Sequence, residues 1–344
     1  SRGKSSVTRL IAAGLRVGGY RPVAKTTGSA ARLIWPDGSE SQLTRRGPAS
    51  IRELIYTVRQ AEKRSADSLV VECMALQPDL QWAAEYRLIK AHIGVITNIR
   101  LDHEDIMGQG IDNIAAALAN TVPKYGSLVT VPDAAARLHS QGLLPEDAVV
   151  IDPQTVTEQD LQSFSYPVIP ENLALALMVC QMAGVTRQTA LDGMVQAAPD
   201  VGNLTIRHYT LANRRLTLIN ALAANDPDST LMLFHRYAVD FPARIILLHG
   251  RRDRRLRTVQ LCSALSRVHS GPFLVSGDRS FIDMQLRICG VAPERILHLY
   301  NPSLDGVLTQ AAGYCQDQAA IFAVGNIYGL DLSLSSHWAT GGAT

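Results

Sequence analysis

Ser1-Arg2-Gly3-Lys4-Ser5-Ser6 opens the chain, and the reading of this stretch decides the fold. It matches the second half of a phosphate-binding loop, G-x-x-x-x-G-K-[ST]. Val7–Val17 follows as a helical stretch with Leu10, Ile11 and Leu15 on one side and Gly18-Gly19 as its stop. A loop of this kind lies between a strand and a helix N-terminus, where backbone N–H groups converge on phosphate oxygens. Lys4 then reaches the β- and γ-phosphates and the Ser5 hydroxyl a Mg²⁺ ion. The strand and first glycine of such a loop would precede Ser1, so the motif is only half represented. On these residues alone, a basic tail leading into an ordinary helix stays open.

The 344 residues suffice for two domains of ordinary size. A hydrophobic share of 47% and a charged share of 19% belong to a folded globular enzyme rather than a disordered or fibrous chain. The net charge of +2 argues against nucleic acid as a partner and against a generally basic membrane-binding surface. Cys73, Cys180, Cys262, Cys289 and Cys315 are scattered without a C-x-x-C pair, which favours reduced cytosolic thiols over disulfides or a structural zinc. No apolar run approaches the roughly 20 residues of a membrane helix. An anchor or targeting segment ahead of Ser1 stays open.

Apolar, β-branched runs alternate with amphipathic ones. The runs at Ser68–Cys73, Ile93–Asn98, Ser127–Val131, Ala148–Ile151, Leu216–Asn220, Arg244–His249, Phe273–Ser276, Arg295–His298 and Ala319–Val324 predict strands. Helices are predicted between them, at Ile51–Ser65, Ile111–Asn120, Glu171–Ala183, Ser229–Tyr237, Thr258–Ser266 and Ser303–Tyr314. Short apolar strands separated by helices indicate an α/β fold with mostly parallel sheets covered on both faces. The Pro/Gly cluster Ala197–Gly202 predicts a boundary between a first domain, 1–199, and a second, 200–344.

In such folds the chemistry gathers at the carboxyl ends of strands. Glu72 closes one apolar strand, where a carboxylate can hold Mg²⁺ directly or through water. Lys25-Thr26-Thr27-Gly28 closes a short strand at Val23–Ala24. Ile93–Asn98 ends on polar residues and leads into Arg100-Leu101-Asp102-His103-Glu104-Asp105, a candidate second metal or phosphate contact or simply a charged loop. The order predicts that these ends belong to one sheet. Further along, Arg251, Arg252, Arg254, Arg255 and Arg257 cluster just past the strand at Arg244–His249. Guanidinium forks match carboxylates and phosphates, so Arg251, Arg252 and Arg254 are candidate contacts to an anionic substrate. A helix start salt-bridged by Asp253 is the plainer alternative.

The combination of R-G-K-S-S, K-T-T-G, V-E-C-M-A and T-N-I-R-L-D-H resembles the ATP-dependent Mur ligase superfamily, and within it the PgsB/CapB family of poly-γ-glutamate synthase ligase subunits. Pro170-Glu171-Asn172, Asn220–Thr230 with its A-A-N-D-x-x-S-T run, Arg251–Arg254 and Val324–Gly329 extend the likeness over nearly the whole chain. The resemblance implies a Mur-ligase-like central P-loop ATPase domain followed by a smaller Rossmann-like domain that binds the incoming glutamate. It implies ATP-dependent activation of a γ-carboxylate as an acyl phosphate, followed by attack of a glutamate amine, with ATP and Mg²⁺ or Mn²⁺ as cofactors. Carried over by motif, Arg2, Gly3, Lys4, Ser5 and Ser6 cradle the nucleotide phosphates; Ser5, Glu72 and His103 are metal ligands; Asn172 meets the adenine; and Lys25, Thr26 and Thr27 face the acceptor or a phosphate. Lys4, Glu72, His103, Arg252 and Arg254 form the implied catalytic set, and Asn220 and Asn225 stand near the ribose. Glutamate, the polyglutamate chain and small membrane subunits are the implied partners, at the cytoplasmic face of a membrane; a homo-oligomer is left open.

Three departures from the family pattern bear on the details. No lysine stands in Ile114–Asn120, where many relatives carry a carbamylated one. No arginine stands at Asp200-Val201-Gly202, so Arg207 or the arginines at 251–254 are left to meet the γ-phosphate. Ala221 replaces a ribose-binding aspartate, beside Asn220 and Asn225. Another Mur-type ligase, such as a folylpolyglutamate synthase, or a P-loop ATPase without ligase activity, remains as the alternative reading.

Overall fold

Helix α1 (Lys4–Val17) begins at the lysine of the opening motif, and its periodicity predicts a single apolar face. The computed structural model, which describes residues 3–27, 31–45, 49–200, 204–224, 226–300 and 303–326, instead buries every residue from Val7 to Leu15. Small side chains make this feasible. Ala12 packs with Ala24 and Ile34, while Val7, Leu10, Ile11, Ala13 and Leu15 join a larger core containing Ile96, Leu128, Leu173 and Met194. At Gly14 even a Cβ would come within 2.8 Å of Cys180 Sγ. The chain divides into two compact units, Ser1–Asp200 and Val201–Thr344.

In the first unit, β1 (Pro22–Lys25), β2 (Arg32–Ile34) and β3 (Glu40–Gln42) form an antiparallel meander. Helix α2 (Arg52–Lys63) then returns the chain to β4 (Ser68–Val71), which pairs parallel to β1 with Lys25 opposite Val71. Helix α3 (Pro78–Ala83) runs on as a π-helix over Ala84–Ile89, closed by Lys90 at φ 52°. After β5 (Ile93–Ile96) come α4 (Glu104–Met107), α5 (Ile111–Ala119), β6 (Ser127–Thr130), α6 (Pro132–His139) and β7 (Val149–Val150). Strands β5, β6 and β7 make a separate parallel sheet. Helices α7 (Glu158–Gln162), α8 (Pro170–Met182) and α9 (Arg187–Val195) complete the unit. The strand ends expected in one sheet thus belong to two: among the described residues β4 pairs with β1 and β5 with β6. Helix α1 joins them through side-chain packing instead, and Val70 of β4 lies against both clusters that α1 enters.

The second unit is a six-stranded sheet, in the order β12-β11-β10-β13-β9-β8 when its strands are numbered along the chain. These are β8 (Thr205–Leu211), β9 (Arg214–Asn220), β10 (Ala243–Gly250), β11 (Phe273–Gly277), β12 (Ile296–His298) and β13 (Gln318–Gly325). Helices α10 (Pro227–Tyr237), α11 (Arg255–Val268), α12 (Arg279–Ile288) and α13 (Leu304–Ala312) cover it. Along β10, Ile246 and Leu248 enter one core with Phe234, Phe273 and Phe322; Ile245 and Leu247 enter the other with Val307 and Ile321. Both faces are buried, which is why these strands read as continuous apolar runs. Only β8 is antiparallel, joined to β9 through Ala212 and Asn213 at φ 47° and 62°. The fold is the α/β, mostly parallel arrangement that the alternating runs predict.

Candidate active site

Glu72 follows directly on β4 and is 6% exposed. Its backbone N–H continues the ladder to Lys25 O at 2.9 Å. Its Oε2 accepts two hydrogen bonds, from Ser5 Oγ and from the Thr27 N–H, each at 2.7 Å. The carboxylate therefore gathers the first turn of α1, the end of β1 and the end of β4 into one point. Lys4 lies near enough to Cys73 to act on its thiol; burial pushes that thiol up, and the ammonium pulls weakly against it.

Gly3 is the N-cap of α1 at φ 82°, in the left-handed region where a side chain is strained. A Cβ here would stand 2.4 Å from Asn172 Oδ1, so the glycine lets the loop close against the start of α8. It also brings no capping side chain, and no acid occupies the first turn of α1. A helix N-terminus of this kind suits an anion such as a phosphate. Asn172 is 6% exposed and lies directly against Gly3. The hydroxyl of Ser5 and the carboxylate of Glu72 are hard oxygen donors already in contact, a set that fits Mg²⁺ or Mn²⁺.

The other predicted residues of this unit are placed differently. Lys25 is fully buried, with Nζ 3.0 Å from Glu53 Oε2 on α2. Burial lowers the Lys25 pKa. Burial also opposes the Glu53 carboxylate, but hydrogen bonds from Arg45 and the adjacent Lys25 ammonium prevail and hold its pKa below the ordinary value. The lysine predicted to face substrate is thus turned onto an internal ion pair. Thr26 is fully buried, its Oγ1 lacking a hydrogen-bond partner, while Thr27 reaches the site through its backbone. His103 caps α4 in the left-handed region, with Nε2 3.6 Å from Asp102 Oδ1. Among the described residues no three His, Cys, Asp or Glu side chains gather at metal-binding distance. Arg2 and Asn225 lie outside the described residues.

In the second unit the carboxyl ends of β10, β11 and β13 converge. His249 is 2% exposed, and its Nδ1 shares a hydrogen bond with Ser276 Oγ at 2.8 Å. The Asn326 N–H donates to His249 O at 3.1 Å, and Arg257 Nη1 donates to Asn326 Oδ1 at the same length. Gly277 and Gly325 have positive φ where a Cβ would strike Gly250 O and His249 O. Arg251 forks onto Asp253 through Nε and Nη2, as the plainer reading of the cluster expects, whereas Arg252 and Arg254 are exposed. Arg255 pairs with Asp278 at 3.1 Å. Asn220 Oδ1 accepts from the Leu222 N–H, and Asp226 caps α10 through the Ser229 N–H. The sequence reading passed over His249, Ser276 and Glu53. The first two lie at strand ends, so the rule that selected Glu72 also reaches them; Glu53, an ordinary first-turn acid on an amphipathic helix, carries no such signal.

Residues 1–150 match the profile of the Mur ligase middle domain, and residues 206–341 that of the poly-gamma-glutamate synthase CapB C-terminal domain. The chain is 33% identical to the capsule biosynthesis protein CapB of Bacillus anthracis, over 95% of its own length and 72% of that protein. It is 35% identical to the PGA synthase CapB of Bacillus subtilis (strain 168), over 95% of its own length and 86% of that protein. A solved structure of a bifunctional folylpolyglutamate synthase/dihydrofolate synthase from Yersinia pestis, with AMPPNP and a Mn ion, superposes with a TM-score of 0.66 at 17% identity, covering 98% of this chain and 86% of that one. The glycine-capped helix, the serine–glutamate contact at its first turn and the matched relatives lead to one assignment: the chain belongs to the CapB family of the Mur ligase superfamily.

Proposed function

We propose that this chain is an ATP-dependent amide ligase that builds poly-γ-glutamate. The observation that carries the reading is the contact of Ser5 and Thr27 with Glu72, in a chain of the CapB family. A carboxylate is a poor electrophile, and phosphorylating it brings several negative charges together, so positioning and charge neutralisation do most of the work. The first-turn N–H groups of α1 and the Lys4 ammonium hold the triphosphate. Ser5 and Glu72 hold the divalent cation, which when bound neutralises charge on the phosphates. The first unit is the ATP-binding domain, 1–199, with Arg2, Gly3, Ser6 and Asn172 around the nucleotide. The second, 200–344, takes the incoming glutamate, with Arg252 and Arg254 available to its carboxylates and Asn220 and Asn225 to the ribose. The γ-carboxylate of the growing chain becomes an acyl phosphate; the glutamate amine attacks it, phosphate leaves, and the amide forms.

Support for the cofactors comes from the AMPPNP and Mn ion held by the Yersinia pestis neighbour, and support for glutamate from a solved bifunctional folylpolyglutamate synthase/dihydrofolate synthase with Mn, AMPPNP and L-glutamate bound. No helix among the described residues is long and apolar enough to cross a membrane. We place the enzyme at the cytoplasmic face of a membrane, beside membrane subunits of a synthase complex, by its family. The test incubates the protein with ATP, Mg²⁺ and glutamate or a short γ-linked acceptor and follows ADP, phosphate and amide product. ADP and amide in equal amounts are expected; phosphate release without amide on any acceptor removes the ligase reading. Lys4→Ala and Glu72→Ala are expected to abolish turnover with the circular dichroism spectrum unchanged.

A further inference from the structure

An open cleft of about 610 Å³ lies in the first unit, with Arg21, Trp35, Asp37, Lys63 and Arg64 in its lining. Trp35 and Asp37 stand on the turn between β2 and β3, Lys63 and Arg64 close α2, and Arg21 directly precedes β1. The Arg64 guanidinium stacks on the Trp35 ring, 3.6 Å from its centroid, and its Nη1 donates to Gln60 Oε1 at 2.8 Å. Arg21 Nη2 donates to Arg64 O at 2.9 Å, and Lys63 is exposed. Among the described residues none of these three cations forms an ion pair. Asp37 Oδ1 accepts from the Ser39 N–H and hydroxyl instead, and Asp67 Oδ1 from the Arg21 N–H and the Ser68 hydroxyl.

Cations at the carboxyl end of a helix answer its dipole, which accounts for Lys63 and for the bond from Arg21 to the Arg64 carbonyl. The dipole does not account for three like charges in one cleft without a counter-ion, one of them held in place by stacking. Such a concentration repels itself until an anion enters. We propose that the cleft holds the older part of a γ-linked glutamate chain. This rests on the ligase reading above, in which the γ-carboxylate at one end of that chain becomes the acyl phosphate. Every residue of such a chain keeps a free α-carboxylate, a row of single charges that two guanidinium groups and an ammonium match one by one. The strand direction sets the distance. Arg21 stands before β1, and the far end of β1 leads to Thr27 beside Glu72. The steps from Arg21 to Thr26, at about 3.3 Å each, span roughly 16 Å. One end of the chain therefore sits at the reaction while residues added earlier rest on the cleft. A second contact of this kind raises the local concentration of the reactive end.

The double variant Arg21→Gln/Lys63→Gln removes two charges from exposed positions and leaves Arg64 on Trp35; Arg21→Lys/Lys63→Arg keeps both charges. Calorimetry on the full chain without nucleotide uses a γ-linked glutamate decamer as probe. Binding is expected, weakened about tenfold in the neutral variant and retained in the charged one. In turnover, the neutral variant is expected to raise the KM for the decamer as acceptor about tenfold, while the KM values for ATP and for a γ-linked dimer stay within about twofold. Unchanged decamer affinity in the neutral variant overturns the proposal. So does an equal rise in KM for dimer and decamer. Full displacement of the decamer by inorganic phosphate at matching concentration makes the cleft a simple anion site and also overturns it. Failure of the wild-type chain to form amide removes the ligase reading, and the calorimetry, which needs no reaction, still decides the cleft.

Discussion

Gly3 and Glu72 show how much the site asks of single residues. Gly3→Ala places a methyl group against Asn172 and forces a left-handed alanine, a cost of about 1–2 kcal/mol from the backbone alone. Weaker nucleotide binding by calorimetry is the expected outcome, with a modest drop in the unfolding midpoint. Glu72→Gln keeps an acceptor for the Ser5 hydroxyl but removes the charge. Its ATP-dependent turnover is expected to fall about a hundredfold while the midpoint moves little. His269 makes a different kind of prediction. It is buried against Phe234 and Phe273, and burial pushes its pKa down from 6.5 to about 4. The folded ring stays neutral where the unfolded one takes a proton. Its contribution to stability is therefore full above pH 6.5 and is lost as the pH falls toward 4, by roughly 3 kcal/mol in all. Urea denaturation between those pH values measures this slope, and His269→Phe is expected to flatten it.

At the scale of elements, the strands that announce themselves are those with two buried faces. Leu216–Asn220, Arg244–His249 and Ala319–Val324 read as strands because neighbours on each side demand apolar side chains. Strand β3, Glu-Ser-Gln on an edge, has no such pattern, and β8 mixes arginine, histidine and tyrosine with its apolar residues because it too is an edge. Helix α9 was equally silent: its apolar residues do not keep to one stripe, and it is anchored by close approach instead. A Cβ at Gly193 would meet Ala13 O at 2.5 Å. Gly193→Ala is accordingly expected to destabilise the first unit by about 1–3 kcal/mol, read by chemical denaturation. Within the site, Ser5 and Glu72 were legible because motif and strand end coincide. The burial of Lys25 was not, since its partner Glu53 lies on a helix whose composition gives no hint of an inward carboxylate.

For the molecule as a whole, each unit has its own core, and ligands are expected to act on them separately. Hydrogen exchange with a non-hydrolysable ATP analogue and Mg²⁺ is expected to slow amides in the first turn of α1 and around Glu72. Glutamate is expected to slow those at the ends of β10, β11 and β13; a reversal of the two patterns would exchange the proposed roles of the units. Helix α1 gives the first of these experiments an unusual reach. Because Val7–Leu15 is buried throughout and enters the hydrophobic clusters of both sheets, a ligand held at the first turn of the helix is expected to steady the core of the first unit. Occupancy at one loop is then transmitted as cohesion of some two hundred residues. In the cell, the lifetime of this half of the chain against proteolysis should rise and fall with the supply of its own fuel.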